Sequence, residues 1–270
     1  MTNAENRPTF LRTFWTNAVF APKTSLGFMH VDLVLGTVFV IPFTQMLFFA
    51  FVAQLANDPG ISVQFVVIGN AVSTVTYSSI FSVCQTTDHE KNNGTIEHLL
   101  VTPTNRFALY IGRGIVPILL SLATATVGLF YAVVLFGVPF AWSEALPLAV
   151  SVGLAAVALV GFGLLLGGVA LYLRTSIILG NIFLFIGLLL SGVNFPTSQL
   201  PIALQYVANG FPLTWAVAAV RSTLAGAPLG TIALQWAYLA ISGAVSIVLS
   251  IALWQIFERR ALRTGTIVRF

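Results

Sequence analysis

The chain has 270 residues, 57% of them hydrophobic and only 7% charged, with a formal net charge of +4. Soluble domains carry roughly 25% charged residues, so composition excludes a water-soluble fold and implies an all-α polytopic membrane protein. The basic residues sit at the ends of hydrophobic segments rather than on one face, so the positive balance is a topology signal and not the footprint of a nucleic-acid partner.

Pro8 to Val19 reads as an N-terminal interfacial amphipathic helix. Phe10, Leu11, Phe14, Trp15 and Ala18 follow a helical period, with Arg12, Thr13, Thr16 and Asn17 opposite, a pattern that lies in the headgroup plane. Residues 1–29 show no n-region, apolar h-region and cleavage site, so the first span is expected to insert uncleaved. The single Cys84 falls inside a hydrophobic interval, which rules out an intrachain disulfide.

Charge-free intervals locate the spans, because a bilayer core needs about 20 apolar residues per helix. Span 1 is expected over Leu33 to Gln54, before the turn residues Asn57, Asp58, Pro59 and Gly60, and span 2 over Ser62 to Gln85. Span 3 covers Gly114 to Phe136, and span 4 runs from Leu146 to Leu173, before Arg174. The next charge-free interval, Thr175 to Val220, would be about 69 Å as one helix at 1.5 Å per residue. That is too long for one crossing and too short for two with a loop. The expected solution is span 5 from Thr175 to Val193, then an outer re-entrant segment broken by Pro196, Pro201, Gly210 and Pro212. Irregular backbone at membrane depth survives only when buried in protein. Span 6 covers Leu229 to Phe257, ahead of a tail, 258–270, with four Arg.

With six spans and both termini inside, the cytoplasmic face receives Arg7, Arg12, Lys23, Lys91, Arg106, Arg113, Arg174 and the tail arginines, and the outer face only Arg221. An odd count would spoil that asymmetry. The expected organisation is one transmembrane domain over 1–270: a cytoplasmic or interfacial stretch 1–30, a six-span bundle 31–257 and a cytoplasmic tail 258–270, in the cell (inner) membrane.

The longest polar interruption, Asp88 to Arg113, then lies in the cytoplasm. Gly94 permits a sharp turn, Thr95 can cap a helix and Glu97 sits where a negative charge suits the helix dipole. Ile96, Leu99 and Leu100 form one apolar face, and Pro103 ends the run. About two turns of helix are not stable alone in water, so this helix must dock on something.

The run from Glu90 through Gly94, Thr95, Ile96, Glu97, Leu99 and Leu100 to Thr102 and Pro103 resembles the E-x-x-x-G-T-x-E-x-L-x-x-T-P signature of ABC-2 type exporter permeases. A second stretch, Ser191-Gly192-Val193-Asn194-Phe195-Pro196, Leu200-Pro201, Phe211-Pro212-Leu213-Thr214 and Arg221, is similar to that family's last-loop pattern. It departs at Phe211, where the family often has Asn. Together with the six-span frame, the resemblance covers essentially the whole chain.

The resemblance implies a permease that pairs with a second permease chain, as homodimer or heterodimer, and binds two cytosolic ABC ATPase subunits, two copies or two homologues. It further implies that the short helix is an ATPase-coupling helix, made by Glu90, Gly94, Thr95, Ile96, Glu97, Leu99, Leu100, Thr102 and Pro103. The outer re-entrant segment would gate the exit, with Phe195, Pro196, Pro212 and Arg221 as gate candidates. The compact loops resemble the drug-efflux and lipo-oligosaccharide members, which implies export of an amphipathic drug, antibiotic or lipid-like molecule. Export of a glycolipid or polysaccharide is the alternative within the family.

Span 2 is unusually polar, and polar groups facing lipid are costly, so it should face the bundle interior or a dimer seam. Candidate path residues are Gln45, Asn70, Ser73, Thr74, Tyr77, Ser78, Asn181 and Asn194, with plain interhelical hydrogen bonding as the competing reading of span 2. His30, His89 and His98 have no metal-ligand spacing, and no nucleophile–base–acid set can be assembled. No G-x-x-x-x-G-K-[ST] loop is present, so no cofactor is expected on this chain and ATP and Mg belong on the partner subunit. An ion-coupled secondary transporter is the rival of another class. It would want membrane-centre carboxylates and an internal repeat, neither of which is visible.

Overall fold

The computed structural model describes residues 31–56, 60–92, 112, 114–170 and 176–264, and the regular structure there is all helical. Helix α1 (Val31–Leu35) passes through a π-helical turn (Gly36–Val40) into α2 (Ile41–Ala56). Then follow α3 (Val63–Asn92), α4 (Ile115–Phe136), α5 (Ala145–Ala170), α6 (Ser176–Leu190), α7 (Ile202–Gly210), α8 (Pro212–Leu224) and α9 (Leu229–Thr264). The expected interfacial helix at Pro8–Val19, the end of the tail and the short helix from Gly94 to Pro103 lie outside the described residues. Glu90 falls in the last turn of α3.

Among the described residues five stretches are long and apolar enough to cross a membrane: Gly36–Ala56, Val63–Gln85, Ile115–Phe136, Trp142–Ala170 and Leu229–Phe257. They make this an integral membrane protein and coincide with five of the six expected intervals. The remaining interval differs in length. Helix α6 has 15 residues, or about 22 Å at 1.5 Å per residue, against a hydrocarbon core of about 30 Å. It stops at Leu190 because Gly192 adopts a left-handed φ of 73°, a conformation that favours glycine and turns the chain.

The π-helical turn in the first span has a local cause. Pro42 has no N–H, and its ring would crowd the carbonyl four residues back. The chain widens just before it, and Ile41 N–H bonds back five residues to the Gly36 carbonyl. Two helices run past their apolar stretches. α3 continues from Gln85 to Asn92 and α9 from Phe257 to Thr264, so charged sequence at both ends is helical and continuous with a span.

Helix α3 is the axis of the bundle. It packs on α2, α4, α5, α6 and α8, while the most extensive pairing elsewhere is α5 with α9. Of the apolar stretch in α3, 83% is buried, against 22% of the first span. The polarity is the reverse of a soluble protein. α3 buries Asn70, Ser73, Thr74, Thr76, Ser78 and Ser79, while the first span exposes Phe39, Phe48, Phe51 and Leu55. Water-free surroundings favour that arrangement, since hydroxyls and amides find partners only inside the bundle.

Small residues bring the neighbours close. A Cβ at Gly163 on α5 would come within 3.0 Å of the Ser79 carbonyl, one at Gly128 on α4 within 3.3 Å of the Ala71 Cα, and one at Gly180 on α6 within 3.1 Å of Ile80. Hydroxyl pairs add direction between α3 and α4, with Ser78 to Thr124 at 3.0 Å and Ser79 to Ser121 at 2.8 Å.

Candidate functional site

Four of the sequence-picked polar residues form one hydrogen-bonded ladder across three segments. Gln45 on α2 donates from Nε2 to Asn70 Oδ1 (3.1 Å) and to Ser73 Oγ (2.8 Å) on α3. Asn70 Nδ2 donates to its own-helix carbonyl at Val66 (2.9 Å) and to Asn194 Oδ1 (2.8 Å), in the turn after α6. Ser73 Oγ donates to the Asn70 carbonyl at 2.9 Å. Asn70 and Ser73 are fully buried, whereas Gln45 and Asn194 are half-buried. The ladder therefore begins deep in the bundle and surfaces at both ends.

Beside it, Arg221 of α8 ties the turn after α6 to α3. Its Nη1 donates to the Gly192 carbonyl (2.7 Å), and its Nη2 to those of Phe65 (2.7 Å) and Val193 (2.8 Å). The guanidinium carbon lies 3.4 Å from the centre of the Phe65 ring, a cation–π contact that offsets part of the lost hydration. Among the described residues the groups that bond this cation are neutral carbonyls and none is an acid. Gly69 makes room for the junction, because a Cβ there would collide with the Val193 carbonyl and Arg221.

The segment expected to be re-entrant is an α7–corner–α8 unit. Phe211 is extended, Pro212 starts α8 where a missing N–H costs nothing, and Thr214 Oγ1 donates to the Ala208 carbonyl while Trp215 Nε1 donates to that of Asn209 (2.8 Å). Phe211 packs against Phe162 of α5, and Trp215 stacks on Tyr238 of α9 at 4.4 Å. A second polar cluster fixes α8 from behind. Ser151 Oγ accepts from Trp236 Nε1 (2.8 Å) and lies 3.4 Å from Thr223, and Gln235 donates to Ser222 (2.8 Å).

The remaining path candidates fall elsewhere. Thr74 bonds the Ala71 carbonyl of its own helix, and Ser78 joins the α3–α4 seam. Tyr77 is half-buried and stacks on Phe81, and Asn181 donates to the Ile177 carbonyl one turn back. For Thr74 and Ser78, then, the bonds present are the intrahelical and interhelical kind. Of the gate candidates, Phe195 and Pro196 are half-buried just after Asn194, and Pro212 is buried at the start of α8. Sequence reasoning missed Phe65 and Gly69. Their i, i+4 spacing puts ring and gap on one face of α3, the signal that would have found them.

A match to the family model for the ABC-2 type transporter runs over residues 12–225, most of the chain and all of the ladder and the Arg221 junction. The chain belongs to the ABC-2 type transporter family. This ABC-2 chain is also 27% identical over 159 residues to the probable multidrug ABC transporter permease YbhR of Escherichia coli strain K12, and equally to that of Escherichia coli O157:H7. Each match covers 58% of this ABC-2 chain and 41% of the relative, so the chain spans about two fifths of the length of these relatives.

Proposed function

We propose that this chain is the transmembrane permease subunit of an ATP-driven ABC exporter, moving an amphipathic drug-like, antibiotic or lipid-like molecule outward across the cell (inner) membrane. The observation that carries this reading is the continuity of α3. One 30-residue helix, about 45 Å long at 1.5 Å per residue, joins the ladder and the Arg221 junction to the polar run that begins at Glu90. A rod of that length converts a push at its inner end into movement of the outer segment bound to its other end. The multidrug name of the Escherichia coli relatives supports the substrate class.

In this reading α6 is the fifth of six crossings, with Arg221 and the re-entrant segment at the outer face and both termini inside. The short helix from Gly94 to Pro103 docks through Ile96, Leu99 and Leu100 on one of two cytosolic ABC ATPase subunits, which carry the ATP and Mg. A second permease chain completes the assembly. Gln45, Asn70, Ser73 and Asn194 line the path, and Phe195, Pro196, Pro212 and Arg221 form its outer gate. No step of the chemistry occurs on this chain, which does the work of a transport subunit.

The test is co-reconstitution of the full chain with its ABC ATPase in liposomes. Stimulation of ATP hydrolysis by amphipathic compounds, together with ATP-dependent movement of those compounds, is the expected result. Movement driven by a proton or sodium gradient without ATP would replace the exporter by the secondary-transporter reading.

A further inference from the structure

We infer that the molecule taken by the Gln45–Asn70–Asn194 ladder carries an uncharged head rich in hydroxyl or amide groups, and that the ladder rejects permanent lipophilic cations; the inference rests on the exporter reading above. The direction of every bond in the ladder is fixed by two backbone carbonyls. The Val66 carbonyl can only accept, so Asn70 must present Nδ2 to it, and the second proton of that nitrogen goes to Asn194, which must answer with Oδ1. The single proton of Ser73 goes to the Asn70 carbonyl, so Ser73 Oγ accepts from Gln45, which must present Nε2. The other proton of that nitrogen meets Asn70 Oδ1.

Two atoms are left over. Gln45 Oε1 is an acceptor, Asn194 Nδ2 is a donor, and neither bonds to any other described residue. Both side chains are half-buried at opposite ends of the ladder. In apolar surroundings an unanswered amide atom is costly, and a head that both donates and accepts answers both ends.

Charge narrows the class further. Seven of the eight acids, Glu5, Asp32, Asp58, Asp88, Glu90, Glu97 and Glu258, stand outside the spanning stretches; the eighth, Glu144, lies at the start of Trp142–Ala170, where its Oε2 accepts from the Ala141 N–H (3.3 Å). The fixed charge nearest the ladder is Arg221, bonded to the carbonyls of Gly192 and Val193 immediately before Asn194. A cation would enter beside a like charge, and no carboxylate is among the groups bonded in the ladder. An anion gains little either, because the Arg221 Nη groups are engaged with carbonyls and its Nε, although without a partner among the described residues, is buried.

The experiment uses the full chain with its ATPase in liposomes and two probes, an NBD-labelled short-chain glucosylceramide and tetraphenylphosphonium. The expected result is ATP-dependent movement of the neutral probe at least tenfold faster than that of the cation. Gln45→Met removes the open acceptor together with the Nε2 bonds to Asn70 and Ser73 and is expected to slow the neutral probe at least fivefold. Asn194→Asp keeps the oxygen that Asn70 needs and replaces only the open donor with a charged acceptor, so the cation-to-neutral ratio should rise at least fivefold. Faster movement of the cation by the wild type, unchanged ratios in both folded variants, or movement of neither probe despite permease-dependent hydrolysis would overturn the assignment. Absence of any permease-dependent hydrolysis contradicts the exporter reading itself.

Discussion

Arg221 is held by geometry that no other side chain reproduces. Two of its nitrogens reach three carbonyls on two separate segments, α3 and the turn after α6, while its plane lies against Phe65. Hydrogen bonds to a charged group are each worth roughly 1.5–3 kcal/mol, so Arg221→Ala is expected to destabilise the fold by about 3 kcal/mol. Arg221→Lys should recover only part of it, since an ammonium on a single stem lacks the fork. Thermal unfolding in detergent reads the order wild type, Lys, Ala, and equal midpoints for all three would remove Arg221 as a tether. Gly69→Ala attacks the same junction from the other side. Its added methyl has no space, and overpacking costs about 1–3 kcal/mol, so the midpoint should fall without any change of charge. Arg221 itself stood out as the lone cation expected on the outer face, and its carbonyl partners were not legible. Residues 156 and 28 positions away enter its reach only through folding, and a single sequence carries no mark of that pairing.

At the scale of the helices, α3 is held by two different means. α4 meets it through hydroxyl pairs as well as the approach at Gly128, and α5 meets it through the closer approach at Gly163. Interhelical hydrogen bonds in membranes average about 0.6 kcal/mol, whereas overpacking a close helix crossing costs about 1–3 kcal/mol. Gly163→Val should therefore destabilise several times more than Ser79→Ala, as measured by equilibrium unfolding in mixed micelles. The reverse order would mean that hydroxyl pairing, not backbone approach, sets the axis.

The spans bounded by charges or by turn residues were readable, because arginines and acids cannot sit in hydrocarbon and mark where a helix must leave it. The end of α6 was not, since no charge marks it and the stop comes from the left-handed Gly192. The polarity of span 2 was plain from composition. Which of its residues join Gln45 and Asn194, and which merely seam α3 to α4, depends on the rotation of one helix against the next. Gln45 and Asn70 are 25 residues apart, and Asn70 and Asn194 are 124 apart.

For the whole molecule, the family assignment and the axial helix lead to one account. Under the proposed function, work done on ATP at the inner face would reach the outer segment through α3, entering at the apolar face expected for Ile96, Leu99 and Leu100. The most direct measurement compares wild type with Leu99→Asp, co-reconstituted with the ATPase, by the ATP hydrolysed and the substrate moved by equal amounts of inserted permease. The account predicts that the variant inserts normally yet moves substrate at least tenfold more slowly, with hydrolysis no longer responding to substrate. Undiminished, substrate-stimulated transport by Leu99→Asp would contradict it.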